Sequence, residues 1–225
     1  MNAPDVDPAG PPPSRRKLWA GVVAVWALTV ATSLFCLVAY AQRQGLQGKP
    51  PAADKAGLVV ADRGYTLVMS VHPRCPCTRA SLYELERLLA RHQDVLFCQI
   101  LVYTPSGVDQ SWAKDYLTTI KNRLPGSKIK LDPNGLYAAR LKSGTSGAVV
   151  LFDAEGVPVF WGGITSARGH AGDNLGSDAI DTVLTGQDAP RPHTPVFGCS
   201  LDNLELQNQD PDFPALCCEG PADEQ

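Results

Sequence analysis

One uncharged stretch near the N-terminus constrains the fold of this chain more than any other feature. Residues Leu18 to Ala41 contain no charged side chain. A helix rises about 1.5 Å per residue, so a stretch of this length can cross a hydrocarbon core of about 30 Å. The rings of Trp19 and Tyr40 lie near its two ends, where such rings anchor at a membrane interface. The sequence therefore predicts a transmembrane helix over residues 18–41.

A cleaved signal peptide is the alternative, because Ala39-Tyr40-Ala41 resembles a small-residue cleavage site. The apolar part of a signal peptide spans only about 7–15 residues, however, which favours an anchor. The cluster Arg15-Arg16-Lys17 abuts the helix and favours a cytoplasmic N-terminus. We therefore expect a single-pass membrane protein with residues 1–17 as a cytoplasmic tail. The main domain would lie outside the cytoplasm, on the periplasmic side of the inner membrane in a bacterium.

The remainder of the chain has the composition of one ordinary folded domain. Of the 225 residues 44% are hydrophobic, which excludes a disordered chain. The net charge is −3 and there is no long basic run, so no nucleic-acid-binding surface is expected. The polar, Pro- and Gly-containing segment 42–56 predicts a linker. The domain itself is expected over residues 57–186, followed by a Pro-rich, Cys-containing tail over residues 187–225.

Alternating strand and helix patterns within this domain predict an α/β fold with the order β-α-β-α-β-β-α. The turn sequence Asp153 to Gly156 predicts a β-hairpin, and Pro158 marks the second strand of that hairpin as an edge strand. The expected strands cover residues 66–71, 95–103, 128–131, 148–152 and 157–161, and the expected helices lie around residues 82–89, 112–124 and 177–184.

The motif Cys75-Pro76-Cys77 follows the first predicted strand, where the chain turns into its first helix. With Cys75 as the N-cap and Pro76 as the first helical residue, free N–H groups and the positive end of the helix dipole would face the thiol. Both favour the thiolate, as does positive charge from Arg74 and from His72 when it is protonated; His72 could alternatively carry protons. Such a cysteine would attack a partner disulfide, and its neighbour would resolve the mixed disulfide.

The pairing of the cysteines is left open by the sequence. A disulfide between Cys75 and Cys77 closes a tight ring, so one of these residues could instead pair with Cys199 in the tail. The non-functional alternative is that Cys75 and Cys77 are ordinary small residues of the core. Cys98 lies in the middle of a strand and is expected to be buried and inert, whereas Cys217-Cys218 have no assigned role.

The element order, with cysteines at this corner, resembles the thioredoxin fold: a central mixed sheet flanked by helices. The string from His72 to Ser81 resembles, more specifically, the RedB-type thioredoxin-like proteins of bacteria, as do the strings Gly162 to Asn174 and Thr194 to Cys199. The resemblance implies a membrane-anchored thiol–disulfide oxidoreductase without a cofactor, whose partners are protein thiols or disulfides outside the cytoplasm. It also implies supporting roles for His170 and Cys199 beside the catalytic pair.

Two departures from the thioredoxin pattern suggest other classes. Only one residue separates the cysteines, and the stretch Thr145 to Ala148 lacks the proline that thioredoxins place against their active site. A copper-binding metallochaperone is the first alternative, because Cys75, Cys77 and either His72 or His170 offer the soft thiolate and imidazole ligands that suit Cu(I). The second is a non-catalytic binding module that keeps only the fold.

Overall fold

The structure is a computed structural model that describes residues 15–107 and 113–201. It contains two compact units, which divide after Tyr40. The first unit contains α1 (Arg15–Ala41), the one helix among the described residues that is long and apolar enough to cross a membrane. A signal sequence has the same properties, so α1 is a candidate span by length and composition.

The second unit is built on a five-stranded mixed sheet with the order β3-β2-β1-β4-β5. The first three strands run parallel, and β4 runs antiparallel to both of its neighbours. The strands are β1 (Tyr65–Val71), β2 (Leu96–Thr104), β3 (Lys128–Pro133), β4 (Ala148–Phe152) and β5 (Pro158–Gly163), and the helices are α2 (Thr78–Arg91), α3 (Lys114–Arg123), α4 (Leu136–Arg140) and α5 (Leu175–Leu184). This is the thioredoxin-like fold that the sequence predicted.

The predicted strands are confirmed, including the β4–β5 hairpin and the edge position of the strand that begins at Pro158. Helix α3 lies within the range predicted for the second helix, and Trp112 lies outside the described residues. Helix α4 was not predicted. It has only five residues and depends on a buried carboxylate, since Asp132 accepts the N–H groups of Tyr137 and Ala138.

Successive side chains of the central strands point to opposite faces of the sheet. Leu67 and Met69 of β1 belong to the core cluster that includes the apolar faces of α2 and α5. Val68 belongs to a second cluster on the other side, together with Phe152 of β4. The sheet is therefore covered on both faces, as the apolar run of β2 predicts.

Parts of the segments predicted as linker and tail pack against this domain. Ala53 and Ala56 are buried in the second core cluster, so residues 42–56 do not form a free linker. In the C-terminal segment, Val196 and Leu201 are buried, and the Thr194 hydroxyl donates a 2.8 Å hydrogen bond to the carbonyl of Gly163. The C-terminal segment thereby reaches the end of the sheet that carries the Cys-Pro-Cys motif.

Candidate active site

The Cys-Pro-Cys motif lies in the connection between β1 and α2. Helix α2 begins at Thr78 with Cys77 as its N-cap, so the prediction that Cys75 is the N-cap was wrong by two residues. The reason is a tight turn before the helix, in which Thr78 N–H donates to the Cys75 carbonyl at 3.3 Å and Arg79 N–H donates to the Pro76 carbonyl at 3.4 Å. Pro76 lies in this turn, where its missing N–H leaves no gap in the hydrogen bonding.

Three cysteines meet at this corner. Cys75 is buried, with 6% of its surface exposed, whereas Cys77 and Cys199 are partly exposed. The backbone N–H of Cys199 donates to the Cys75 sulfur at 3.4 Å. The side chains of Cys77 and Cys199 also interact with Cys75, and all three residues are free thiols. The structure thus places Cys75 at the centre of a cysteine cluster.

Close backbone packing holds Cys199 in this position. The N–H of Ser146 donates to the Cys199 carbonyl at 2.8 Å, and the N–H of Leu201 donates to the Gly144 carbonyl at 2.9 Å. Directly before Cys199, Gly198 lies so close to Ser146 that a Cβ atom would overlap the Ser146 carbonyl oxygen. Only glycine fits such an approach without movement of one segment.

The three thiols differ in their affinity for a proton. Burial raises the pKa of Cys75, but hydrogen bonds from Thr78 and Cys199 outweigh it, and the pKa lies below the ordinary 9.0. Burial and the charge of Cys75 raise the pKa of Cys77, and nearby Arg168 opposes them. The pKa of Cys199 is raised to about 12 by burial and by Cys75. Cys75 is therefore the first of the three thiols to lose its proton as the pH rises.

Ser146 occupies the stretch where thioredoxins have a proline, and it is fully buried. Its hydroxyl accepts the His72 N–H at 2.8 Å and lies 2.7 Å from the hydroxyl of Thr78. Sequence reasoning missed Ser146 and Thr78 as site residues. The available signal was a hydroxyl residue directly after Cys77 and another in the loop that lacks the expected proline.

The predicted supporting residues occupy different positions around the cluster. The Nδ1 atom of His72 accepts the Arg74 N–H at 3.1 Å, and the His72 ring stacks on Tyr103 with centroids 5.3 Å apart. A ring nitrogen that accepts a hydrogen bond carries no proton, so this contact fits the neutral imidazole rather than the charged form. The Arg74 side chain is exposed. His170 is exposed as well, and its Nδ1 atom lies 3.0 Å from the carbonyl of Arg168.

Arg168 is the basic residue that the structure adds to the site. It interacts with the Cys77 thiol, and its guanidinium Nε donates to the carbonyl of Arg43. The loop that carries it is tied to α2 by Glu84, a carboxylate with 2% exposure that accepts the Gly172 N–H at 2.7 Å. Arg168 lies in one of the strings that resemble the RedB-type proteins, but the sequence analysis assigned no role to Arg168 or to Glu84.

The copper-site hypothesis gains no geometric support. Within residues 15–107 and 113–201, no group of three His, Cys, Asp or Glu side chains is placed to hold a metal ion. Cys75 and Cys77 therefore do not form a three-ligand set with either His72 or His170.

Comparisons with known proteins locate the fold among solved structures. No family model and no curated protein matches the sequence. A hypothetical protein from Sinorhizobium meliloti is 20% identical, with a TM-score of 0.52 over 72% of this chain and 93% of that one. An uncharacterized conserved protein from Geobacillus kaustophilus is 17% identical, with a TM-score of 0.52 over 72% and 94%. A secreted Mycobacterium tuberculosis disulfide oxidoreductase is 13% identical, with a TM-score of 0.42 over 56% and 83%. At these identities the first two similarities show the fold alone.

Proposed function

We propose that this protein is a membrane-anchored thiol–disulfide oxidoreductase that acts on protein thiols or disulfides outside the cytoplasm. Cys75 and Cys77 are its redox pair, in a Cys-Pro-Cys site that needs no cofactor. The observation that carries the proposal is the position of the Cys75 sulfur, which accepts the backbone N–H of Cys199 at 3.4 Å and has a lowered pKa. Disulfide exchange begins with the attack of a thiolate, and the thiol that ionises first supplies it.

The proposed reaction takes two exchange steps. The Cys75 thiolate attacks one sulfur of a partner disulfide, which forms a mixed disulfide and releases the other partner sulfur as a thiolate that takes up a proton. Cys77 then loses its proton and attacks the Cys75 sulfur, so that a Cys75–Cys77 disulfide forms and the second partner thiolate leaves. Two electrons pass from the protein to its partner. The same two steps in reverse oxidise a partner dithiol.

Cys199 is a second candidate for the resolving step. Closing a ring over the single residue Pro76 is tight, whereas Cys199 approaches Cys75 from a separate segment. We therefore assign Cys199 as a supporting thiol that can resolve the mixed disulfide when Cys77 is absent.

Reduction of insulin by the full-length protein in detergent tests the assignment. Cys75→Ser is expected to abolish turnover, and so is Cys77→Ser combined with Cys199→Ser. Cys77→Ser alone should leave the activity that Cys199 supports. Cys98→Ala is the matched control, because that thiol is buried in the core away from the cluster. Full activity in the Cys75→Ser, Cys77→Ser double variant would exclude the proposed redox site.

The proposed location rests on α1 and on the basic cluster Arg15 to Lys17 at its start. An oxidising compartment also suits a domain with a reactive cysteine cluster. Alkaline phosphatase fused after Gln225 should be active, since that enzyme needs exported disulfides, and the purified protein should retain residues 18–41. An inactive phosphatase together with an active cytoplasmic reporter at the same site would reverse the topology.

The finer assignment to the RedB-type proteins is part of the same proposal. It is supported by the convergence of the three similar strings on one site. Cys75 and Cys77 come from the first string, Arg168 from the second and Cys199 from the third, and these residues interact in the cluster.

A further inference from the structure

The lowered pKa of Cys75 depends on the Thr78 hydroxyl, which also takes part in a series of buried hydrogen bonds. Thr78 forms a side-chain hydrogen bond with the Cys75 sulfur. Its Oγ1 atom lies 2.7 Å from Ser146 Oγ, and Ser146 Oγ accepts the N–H of His72 at 2.8 Å. Ser146 is 0% exposed and Thr78 is 1% exposed, so water does not compete for these contacts.

Counting the hydroxyl hydrogens shows which group donates and which accepts in this series of hydrogen bonds. A hydroxyl has one hydrogen to donate and can accept two hydrogen bonds. When the hydroxyl hydrogen of Thr78 is directed to the Cys75 sulfur, the hydrogen in the bond between the Thr78 and Ser146 hydroxyls must come from Ser146. Ser146 can donate this hydrogen. Its Oγ atom accepts the His72 N–H, and that contact does not use the hydroxyl hydrogen of Ser146.

The backbone around Ser146 is fixed from several sides. Its N–H donates to the Cys199 carbonyl, and the next N–H, from Gly147, donates to the Ser70 carbonyl of β1, both at 2.8 Å. Gly147 has a φ of +93°, and a Cβ at this position would lie 2.7 Å from Ser81 Oγ of α2. Glycine therefore lets the loop rest on α2, where the Ser146 hydroxyl reaches Thr78.

We propose that Ser146 is a positioning residue for Cys75 that acts through Thr78, by donating to the Thr78 hydroxyl and so directing the Thr78 hydrogen to the Cys75 sulfur. The inference rests on the proposed function, because Cys75 is taken as the reactive cysteine. A donor that is fixed in advance stabilises the thiolate, and donation into Thr78 strengthens the bond that Thr78 makes in turn. The loop without a proline thereby contributes a hydroxyl to the site.

The test measures the pH at which Cys75 of the reduced full-length protein is half-ionised, from the rate of iodoacetamide alkylation at Cys75. Fragment mass spectra separate Cys75 from Cys77. Thr78→Val should raise this midpoint by about one pH unit, the loss of one hydrogen bond to a charged group. Thr78→Ser keeps the hydroxyl and should leave the midpoint unchanged. Ser146→Ala should raise it by about half a unit, since a weakened Thr78 bond remains.

The decisive comparison is the double variant Thr78→Val, Ser146→Ala. If Ser146 acts through Thr78, the midpoint of the double variant matches that of Thr78→Val alone. Ser70→Ala is the matched control, because it removes a buried hydroxyl at the adjacent strand end that has no hydrogen-bond partner among the described residues. The proposal is overturned if Ser146→Ala leaves the midpoint unchanged, if the two shifts add, or if Ser70→Ala shifts it equally.

Circular dichroism melting verifies that each variant is folded. The outcome is also separable from the proposed function, because the midpoint is read on the Cys75 thiol itself. Insulin reduction that persists in Cys75→Ser would overturn the function and leave the hydroxyl result intact.

Discussion

Replacing Gly198 with alanine probes the close contact on which the position of Cys199 depends. The added Cβ would overlap the Ser146 carbonyl oxygen and lie 3.1 Å from the Ser146 carbonyl carbon and 3.3 Å from Thr145 Cγ2. These are backbone atoms and a buried side chain, so the two segments must move apart. The bonds at risk are those from Ser146 N–H to the Cys199 carbonyl and from Cys199 N–H to the Cys75 sulfur.

Each of these hydrogen bonds contributes about 0.5–1.5 kcal/mol, and overpacking of a tight site costs about 1–3 kcal/mol. We therefore expect Gly198→Ala to lower the free energy of unfolding of the domain by about 2–6 kcal/mol, measured by urea denaturation of the full-length protein. The pKa of Cys75 should rise as well, because the hydrogen bonds from Cys199 lower it.

Gly48→Ala serves as the control for this substitution. Its nearest neighbours would be Lys142 Cβ and Cδ, both at 3.1 Å, which need to move by only a few tenths of an ångström, so the expected loss of stability is about 1 kcal/mol. If Gly198→Ala has wild-type stability and alkylation of Cys75 keeps its pH dependence, the C-terminal segment does not pack against the site as described.

Three further predictions address the surroundings of the site. Burial raises the pKa of Cys98 to about 12, so the folded state keeps this proton while the unfolded state loses it above the ordinary 9.0. Stability should therefore fall as the pH rises through this range, by up to about 1.4 kcal/mol per pH unit, and Cys98→Ala should reduce that slope in denaturation measured at several pH values. Asn174→Ala removes the N-cap of α5, whose side chain accepts the Ser177 N–H at 2.8 Å, and should lower the melting temperature through a loss of about 1 kcal/mol. Glu84→Leu leaves the Gly172 N–H without its acceptor and should speed hydrogen exchange in residues 165–173, whereas unchanged exchange would show that Glu84 does not hold this loop.

The sequence predicted the elements of the fold well because their signals are local. The apolar and β-branched run of β1 and the spacing of Leu82, Leu85 and Leu88 in α2 are properties of neighbouring residues. Helix α4 was missed because its start depends on Asp132, a carboxylate whose role appears only once the chain has folded. The segment 42–56 looked like a linker because its small residues show no pattern of their own, yet Ala53 and Ala56 are buried in the second core cluster.

The candidate site likewise contains residues that the sequence made visible and residues that only the folded structure brings together. Cys75 and Cys77 are visible as a motif, and Cys199 was a candidate partner of this pair, beside which the structure places it. The catalytic roles of these cysteines stay predictions. Arg168 and Ser146 lie 91 and 69 residues beyond Cys77, and only the folded chain brings them together with it. No spacing rule connects residues that meet through a sheet and two loops.

The most direct measurement of the central claim identifies which cysteine attacks a disulfide. The reduced full-length protein is mixed with oxidised glutathione, quenched with acid at short times, and analysed by mass spectrometry. We predict that a glutathione adduct accumulates on Cys75 in the Cys77→Ser, Cys199→Ser double variant and is resolved rapidly in the wild-type protein. Cys75→Ser should form adducts on the remaining cysteines only slowly. Equal rates of adduct formation with and without the Cys75 thiol would contradict the assignment of Cys75 as the attacking thiolate.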